Sequence, residues 1–166
     1  PTGGVDPVTR QDFWQLIIRL LSEGNGVLVS TPYMDEAVRC NRLGFMHGGR
    51  LLKTGTPREL VSPLAGRILE LKARPKNLAR QICQADPGVD DVATFGELLH
   101  LRVGSAGGGR DAATVIDRLS RALTGGGAVL VSIRPIAPSL EDVFIETLQS
   151  ADAAGDEIVT AEVRRD

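Results

Sequence analysis

"RILELKARPKNLARQICQADPGVDDVATFGELLHLRVG", residues 67–104, holds the two periodicities that decide the fold. In RILELKAR apolar and polar residues alternate, the period-2 pattern of a strand with one buried face. PKNLARQICQA then changes to helical spacing, and GVDDVATFG and ELLHLRVG read as two strands that meet at a turn. Working outward toward the C-terminus, DAATVIDRLSRAL at 111–123 predicts a helix and GAVLVSIRP at 127–135 a strand.

The resulting order is βαββαβ, the split βαβ or ferredoxin-like arrangement, in which two helices cover one face of a four-stranded sheet. PSLEDVFIETL at 138–148 adds a terminal helix capped near Ser139. The tail at 150–166 is polar enough to fray or stay disordered, and GSAGGGR at 104–110 reads as a flexible loop.

Working outward toward the N-terminus, SPLAG at 62–66 breaks the pattern, and the domain boundary is expected there. This gives one segment over 1–62, a second over 63–149, and the tail over 150–166. Before the break, TPRE at 56–59 is a capping box opening a short helix to about Val61. RLGFMH and RLLKTG flank paired glycines, which tolerate the positive φ of a tight hairpin turn. GVLVST at 26–31 is short and apolar, so it reads as a buried strand of parallel type, with a helix from about 33 to 40 after it. Asp6 before Pro7 reads as a helix cap with proline at the first position. Trp14, Ile17, Ile18 and Leu21 form one apolar stripe along that helix, and EGNG at 23–26 ends it.

The 166 residues suit one ordinary domain or two small ones. With 42% hydrophobic and 24% charged residues the chain is globular, and with 4% aromatic its core must be built of Val, Ile, Leu and Ala. A formal net charge of -2 gives no global attraction to nucleic acid. Cys40 and Cys83 lie far apart, without CxxC or nearby His, so neither a disulfide framework nor a zinc site is indicated. No apolar run approaches the roughly 18 residues of a membrane span, and PTGGVD lacks the regions of a signal peptide, so a cytoplasmic chain is expected. A start at Pro1 rather than Met suggests upstream sequence.

PTGGVDPVTR at 1–10 resembles the segment after the Walker B acidic pair in ATP-binding cassette (ABC) transporter ATPases, which contains the D-loop. GVLVST with PYMDEA resembles the following H-loop, and GFMHGGRLLKTGTPREL looks like the closing hairpin and helix of the same domain. PSLEDVFIETL is similar to the C-terminal extension of the drug-efflux and polysaccharide-export branch. The fold this implies is α/β: the C-terminal portion of a P-loop ATPase sheet followed by a ferredoxin-like βαββαβ α+β domain that serves regulation or dimer contact.

By the same resemblance ATP and Mg²⁺ are the cofactors of the full-length family, with ATP held between two cassettes. A second ABC ATPase subunit and a membrane-spanning permease are the partners, placing the chain peripherally on the inner face of the cell membrane; no nucleic acid is expected. Gly4, Val5 and Asp6 would form the D-loop at the dimer interface, and Ser30, Thr31 and Pro32 the nucleotide-proximal H-loop. Pro32 stands where the family has a histidine that contacts the γ-phosphate and attacking water. Proline has neither a side-chain donor nor a titratable group, so that role is lost at this position.

No G-x-x-x-x-G-K-[ST] occurs, nor an LSGGQ-type signature, and the Walker B carboxylates should lie before Pro1. AGGGRDAAT is glycine-rich before a helix, but Arg110 and Asp111 do not match a phosphate loop. The pairs Asp35/Glu36 and Asp90/Asp91 read as solvated surface, His47 and His100 as structural, and Phe13 and Trp14 as packing residues. The expected function is that of an ATP-binding subunit coupling hydrolysis to export of a drug or other hydrophobic substrate, with this chain alone inactive. The alternative is a non-enzymatic interaction or effector-binding protein that uses the ferredoxin-like domain.

Overall fold

The computed structural model describes residues 2–104 and 112–163, with side chains as far as Asp152. The glycine-rich segment discussed above lies almost wholly outside the described residues. The chain divides into two compact units, Pro1–Cys40 and Asn41–Asp166.

The first unit is built on helix α1, Pro7–Ser22. Its start follows from one side chain: Asp6 accepts hydrogen bonds from the amides of Val8 and Thr9 at 3.0 and 3.1 Å and from the Thr9 hydroxyl at 2.6 Å. Two amide donors that the first helical turn leaves open are thereby satisfied. Trp14 and Ile17 are buried, but Ile18 and Leu21 are 55% and 43% exposed, so the expected stripe is only half covered. The expected strand at 26–31 also does not form. Leu28 is fully exposed, and the segment joins neither sheet, because a parallel-type strand needs hydrogen-bonded neighbours that the described residues do not provide. Helix α2 is shorter than expected, Met34–Ala37, with Tyr33 as its cap residue.

The second unit opens with strands β1, Leu43–His47, and β2, Arg50–Gly55, paired antiparallel through Gly48 and Gly49. Both glycines have positive φ, 54° and 74°, which a two-residue hairpin turn of this hand requires. Helix α3, Pro57–Val61, carries the complete capping box: the Thr56 amide donates to Glu59 Oε2 at 2.8 Å and the Glu59 amide to Thr56 Oγ1 at 3.2 Å. Ser62–Leu64 continues as a 3₁₀ turn with Leu64 buried.

Strands β3 (Ile68–Arg74), β4 (Val89–Phe95), β5 (Leu98–Val103) and β6 (Val129–Ile136) form one antiparallel sheet in the order β4-β5-β3-β6. Helices α4, Lys76–Gln84, and α5, Ala112–Gly125, complete the expected βαββαβ sequence of elements. Alternation places Leu69, Leu71, Ala73, Leu99, Leu101 and Val103 on one face, where they pack with Ala79 and Cys83 of α4 and Val115, Leu119 and Leu123 of α5. Two irregularities adjust this pattern. Register shifts near Asp90 and opposite Lys72/Ala73 let residues three apart, Val89 with Val92 and Leu130 with Ile133, share the core face.

The opposite face receives helix α6, Leu140–Val163. Leu140 and Val143 are 4% and 0% exposed, the Phe144 ring meets Phe45 of the hairpin at 5.2 Å, and Glu146 reaches Lys53 at 3.9 Å. One helix therefore ties the hairpin to the sheet within this unit. Residues 150–163, read from their polarity as a frayed or disordered tail, are helical here. Their alanines and glutamates are good helix formers, and they extend a helix whose first turns are already anchored by packing.

Candidate functional site

The residues singled out by motif gather in the first unit. Thr2 to Val5 form a tight turn closed by the Val5 amide donating to the Thr2 carbonyl at 3.1 Å. Gly4 holds φ at 77°, the positive value a type II turn needs at its third position. Val5 is half-buried, and Asp6 is exposed with its carboxylate engaged in capping α1. Hydrogen bonds from the Thr9 hydroxyl and amide hold the Asp6 carboxyl below its usual range.

Ser30, Thr31 and Pro32 lie on the extended segment that leads into α2, with Ser30 and Pro32 exposed. The Thr31 hydroxyl accepts from the Tyr33 amide at 3.1 Å and donates to Glu36 Oε2 at 2.6 Å. The other carboxylate oxygen, Oε1, accepts from the Thr2 hydroxyl. Glu36 is thus 1% exposed and links the glycine turn to the segment carrying Pro32. Burial alone raises its pKa, but the Thr2 and Thr31 hydroxyls and the field of Arg10 outweigh that and leave it lowered.

This corrects the sequence reading of Glu36 as solvated surface. Its neighbour Asp35 does face solvent, with 63% of its side chain exposed and Arg10 at 3.7 Å. Adjacent positions on a helix point in different directions, and only Glu36 falls toward the two threonines. The Arg10 guanidinium also sits 5.3 Å from the Tyr33 ring centroid, and that of Arg39 lies 5.5 Å from the indole of Trp14.

These groups do not by themselves compose a triphosphate or magnesium site. Pro32 offers no donor, the Thr31 hydroxyl is already donated to Glu36, and the carboxylates of Glu36 and Asp6 are both engaged. Among the described residues no cluster of three or more His, Cys, Asp or Glu is arranged to hold a metal ion.

The second unit contains a polar network that sequence reasoning missed. His100 Nδ1 lies 2.7 Å from Asp142 Oδ1, its Nε2 lies 4.0 Å from Glu70, and its ring stacks on Phe95 at 4.1 Å. Asp142 Oδ2 accepts from both the amide and the hydroxyl of Ser139 at 2.7 Å. Ser, Asp and His are in a chain, but the carboxylate occupies the middle, so the imidazole cannot take a proton from the serine. The arrangement caps α6 and fastens it to the sheet. Its only sequence signal was the S-x-x-D spacing of Ser139 and Asp142. His47 is exposed, 3.9 Å from Asp152.

Both thiols are suppressed. Burial and the Asp86 charge push Cys83 up to about 12, while burial and Glu36 raise half-buried Cys40. No helix of the described residues is long and apolar enough to cross a membrane.

Comparison with known proteins gives the class: the chain is homologous to ATP-binding proteins of ABC transporters, among them ones named for multidrug transport, Nod factor export and daunorubicin/doxorubicin resistance. Among these relatives, the probable multidrug ABC transporter ATP-binding protein YbhF of Escherichia coli (strain K12) is 45% identical over 65 residues, 39% of this chain and 11% of that protein. Nod factor export ATP-binding protein I of Rhizobium etli is 31% identical over 147 residues, 87% of this chain and 42% of its own length. The daunorubicin/doxorubicin resistance ATP-binding protein DrrA of Streptomyces peucetius is 34% identical over 93 residues, 54% and 28% respectively. The chain therefore spans less than half the length of each of these relatives. No family model matches it.

Proposed function

We propose that this chain is the downstream part of the ATP-binding subunit of an exporter, acting with a second such subunit and a membrane permease. In this reading residues 1–62 close the ATPase domain, and 63–149 form a ferredoxin-like extension for regulation or dimer contact. Gly4, Val5 and Asp6 make the D-loop, with Asp6 both capping α1 and facing the partner cassette. Ser30, Thr31 and Pro32 lie near the nucleotide, whose phosphates and Mg²⁺ are held by residues outside this chain. The proposed cargo is a drug or other hydrophobic molecule.

The observation that carries the reading is the match over 87% of the chain to a protein named for Nod factor export. Its support in the structure is the buried carboxylate of Glu36, which couples the glycine turn to the segment holding Pro32. A rigid link there suits a device in which the interface loop and the nucleotide-facing loop respond together.

The test is hydrolysis by the complete subunit with its permease, with and without Pro32→His. Restoring a donor beside the terminal phosphate is expected to raise the rate by about 10². An unchanged rate would remove position 32 from the reaction. Residues 1–166 alone are expected to show no magnesium-dependent ATPase activity, and turnover by them would overturn the reading as a whole.

A further inference from the structure

The first unit has a cleft of about 280 Å³ lined by Pro7, Arg10, Gln11, Trp14, Gln15 and Ile18 of α1 together with Asp35 and Arg39. Its charge is unbalanced. Asp35 sits 3.7 Å from Arg10, leaving the Arg39 guanidinium with no carboxylate within ion-pair distance among the described residues. Arg39 instead lies against the face of Trp14, 5.5 Å from its centroid, an orientation that leaves a planar fork of N–H donors for an incoming anion.

Two further donors in the lining residues, Arg10 Nε and Trp14 Nε1, are buried and lack an acceptor among the described residues. Buried donors without acceptors are uncommon and costly. The cleft sets the unpaired Arg39 guanidinium beside open apolar surface from Ile18, which is 55% exposed. A ligand that fits must bring oxygen acceptors, a negative charge and a short apolar neighbour.

We propose that this cleft docks an acidic segment of a protein partner, with a Glu or Asp carboxylate on Arg39 and an adjacent aliphatic side chain over Ile18. This inference goes beyond the transport reading and does not depend on it. Charge complementarity selects the occupant: a basic segment would meet two guanidinium groups, and a purely apolar one would strand them.

Trp14 is the chain's only tryptophan, so its fluorescence reports on the cleft directly. The full 166-residue chain would be titrated with the blocked peptide acetyl-Leu-Glu-Ile-amide, its Gln counterpart, and hexanoate. The Glu peptide is expected to change Trp14 emission saturably, with affinity about tenfold above the Gln peptide. Arg39→Gln should abolish that preference while leaving the circular dichroism spectrum unchanged, since Arg39 is exposed. If Arg39→Gln disturbs folding, Gln15→Glu, which adds a like charge to the cleft, should weaken the Glu peptide by a similar factor. Equal binding of Glu and Gln peptides, an unaltered preference in the folded variants, or hexanoate binding as tightly as the peptide would each overturn the proposal.

Discussion

Replacing Asp142 by alanine isolates what fastens α6 to the sheet. Asp142 is 6% exposed and accepts from the Ser139 amide, the Ser139 hydroxyl and the His100 ring. Loss of the capping partner costs about 1 kcal/mol. Leaving a shielded imidazole nitrogen without its partner adds about 1–3 kcal/mol, because His100 has only 12% of its side chain exposed. Together they give a destabilisation of about 2–4 kcal/mol, a large fraction of the stability of an ordinary domain. The assay is urea unfolding followed by far-ultraviolet circular dichroism, with midpoints and slopes compared at fixed pH. Asp142→Asn is the control: it keeps an oxygen for the Ser139 donors and should lose less than half as much. If Asp142→Ala falls within about 0.5 kcal/mol of the native chain, α6 is held by its apolar contacts alone and the network is incidental.

The lowered pKa of Glu36 sets a pH dependence in the first unit. The carboxylate is depressed in the fold, so its stabilising effect is present above the ordinary value of 4.5 and is lost as pH falls through the lower folded value. Trp14 fluorescence should therefore report acid loosening below pH 4.5 that Glu36→Gln flattens, and an identical acid profile in the two proteins would contradict this. Cys83, pushed up to about 12, should resist thiol reagents at pH 8 in the folded chain and react once urea unfolds it; rapid labelling under native conditions would refute its burial. Leu101→Ala at 0% exposure should cost about 2–5 kcal/mol in the same urea assay, whereas a loss below about 1 kcal/mol would mean the site collapses around the cavity. Gly4→Ala has open space around its added methyl but a φ of 77°, so the expected cost is about 1 kcal/mol of backbone strain, read as a lower melting temperature.

How much of the site was legible follows the range of the interactions involved. The Asp6 cap, the Thr56/Glu59 box and the Gly48–Gly49 turn act over a few residues, and each was readable from spacing alone. Glu36 was misread because its partners Thr2 and Thr31 meet only when the chain folds back, and an adjacent acidic pair gives no sign of which member turns inward. The strand expected at 26–31 failed for a related reason: an apolar run states a preference for burial, but only neighbouring strands make it a strand.

By itself, then, the sequence determined the βαββαβ order, the helix starts and the core-facing alternation of Leu69, Leu71, Leu99 and Leu101, because propensity, capping and periodicity are properties of contiguous residues. Tertiary structure alone decided that α6 covers the second face through His100 and Asp142, and that register shifts bring Leu130 and Ile133 to one side. It also decided that one carboxylate of the pair at 35 and 36 is buried. Those outcomes depend on groups distant in the chain satisfying one another's hydrogen bonds and volumes, which no local pattern records.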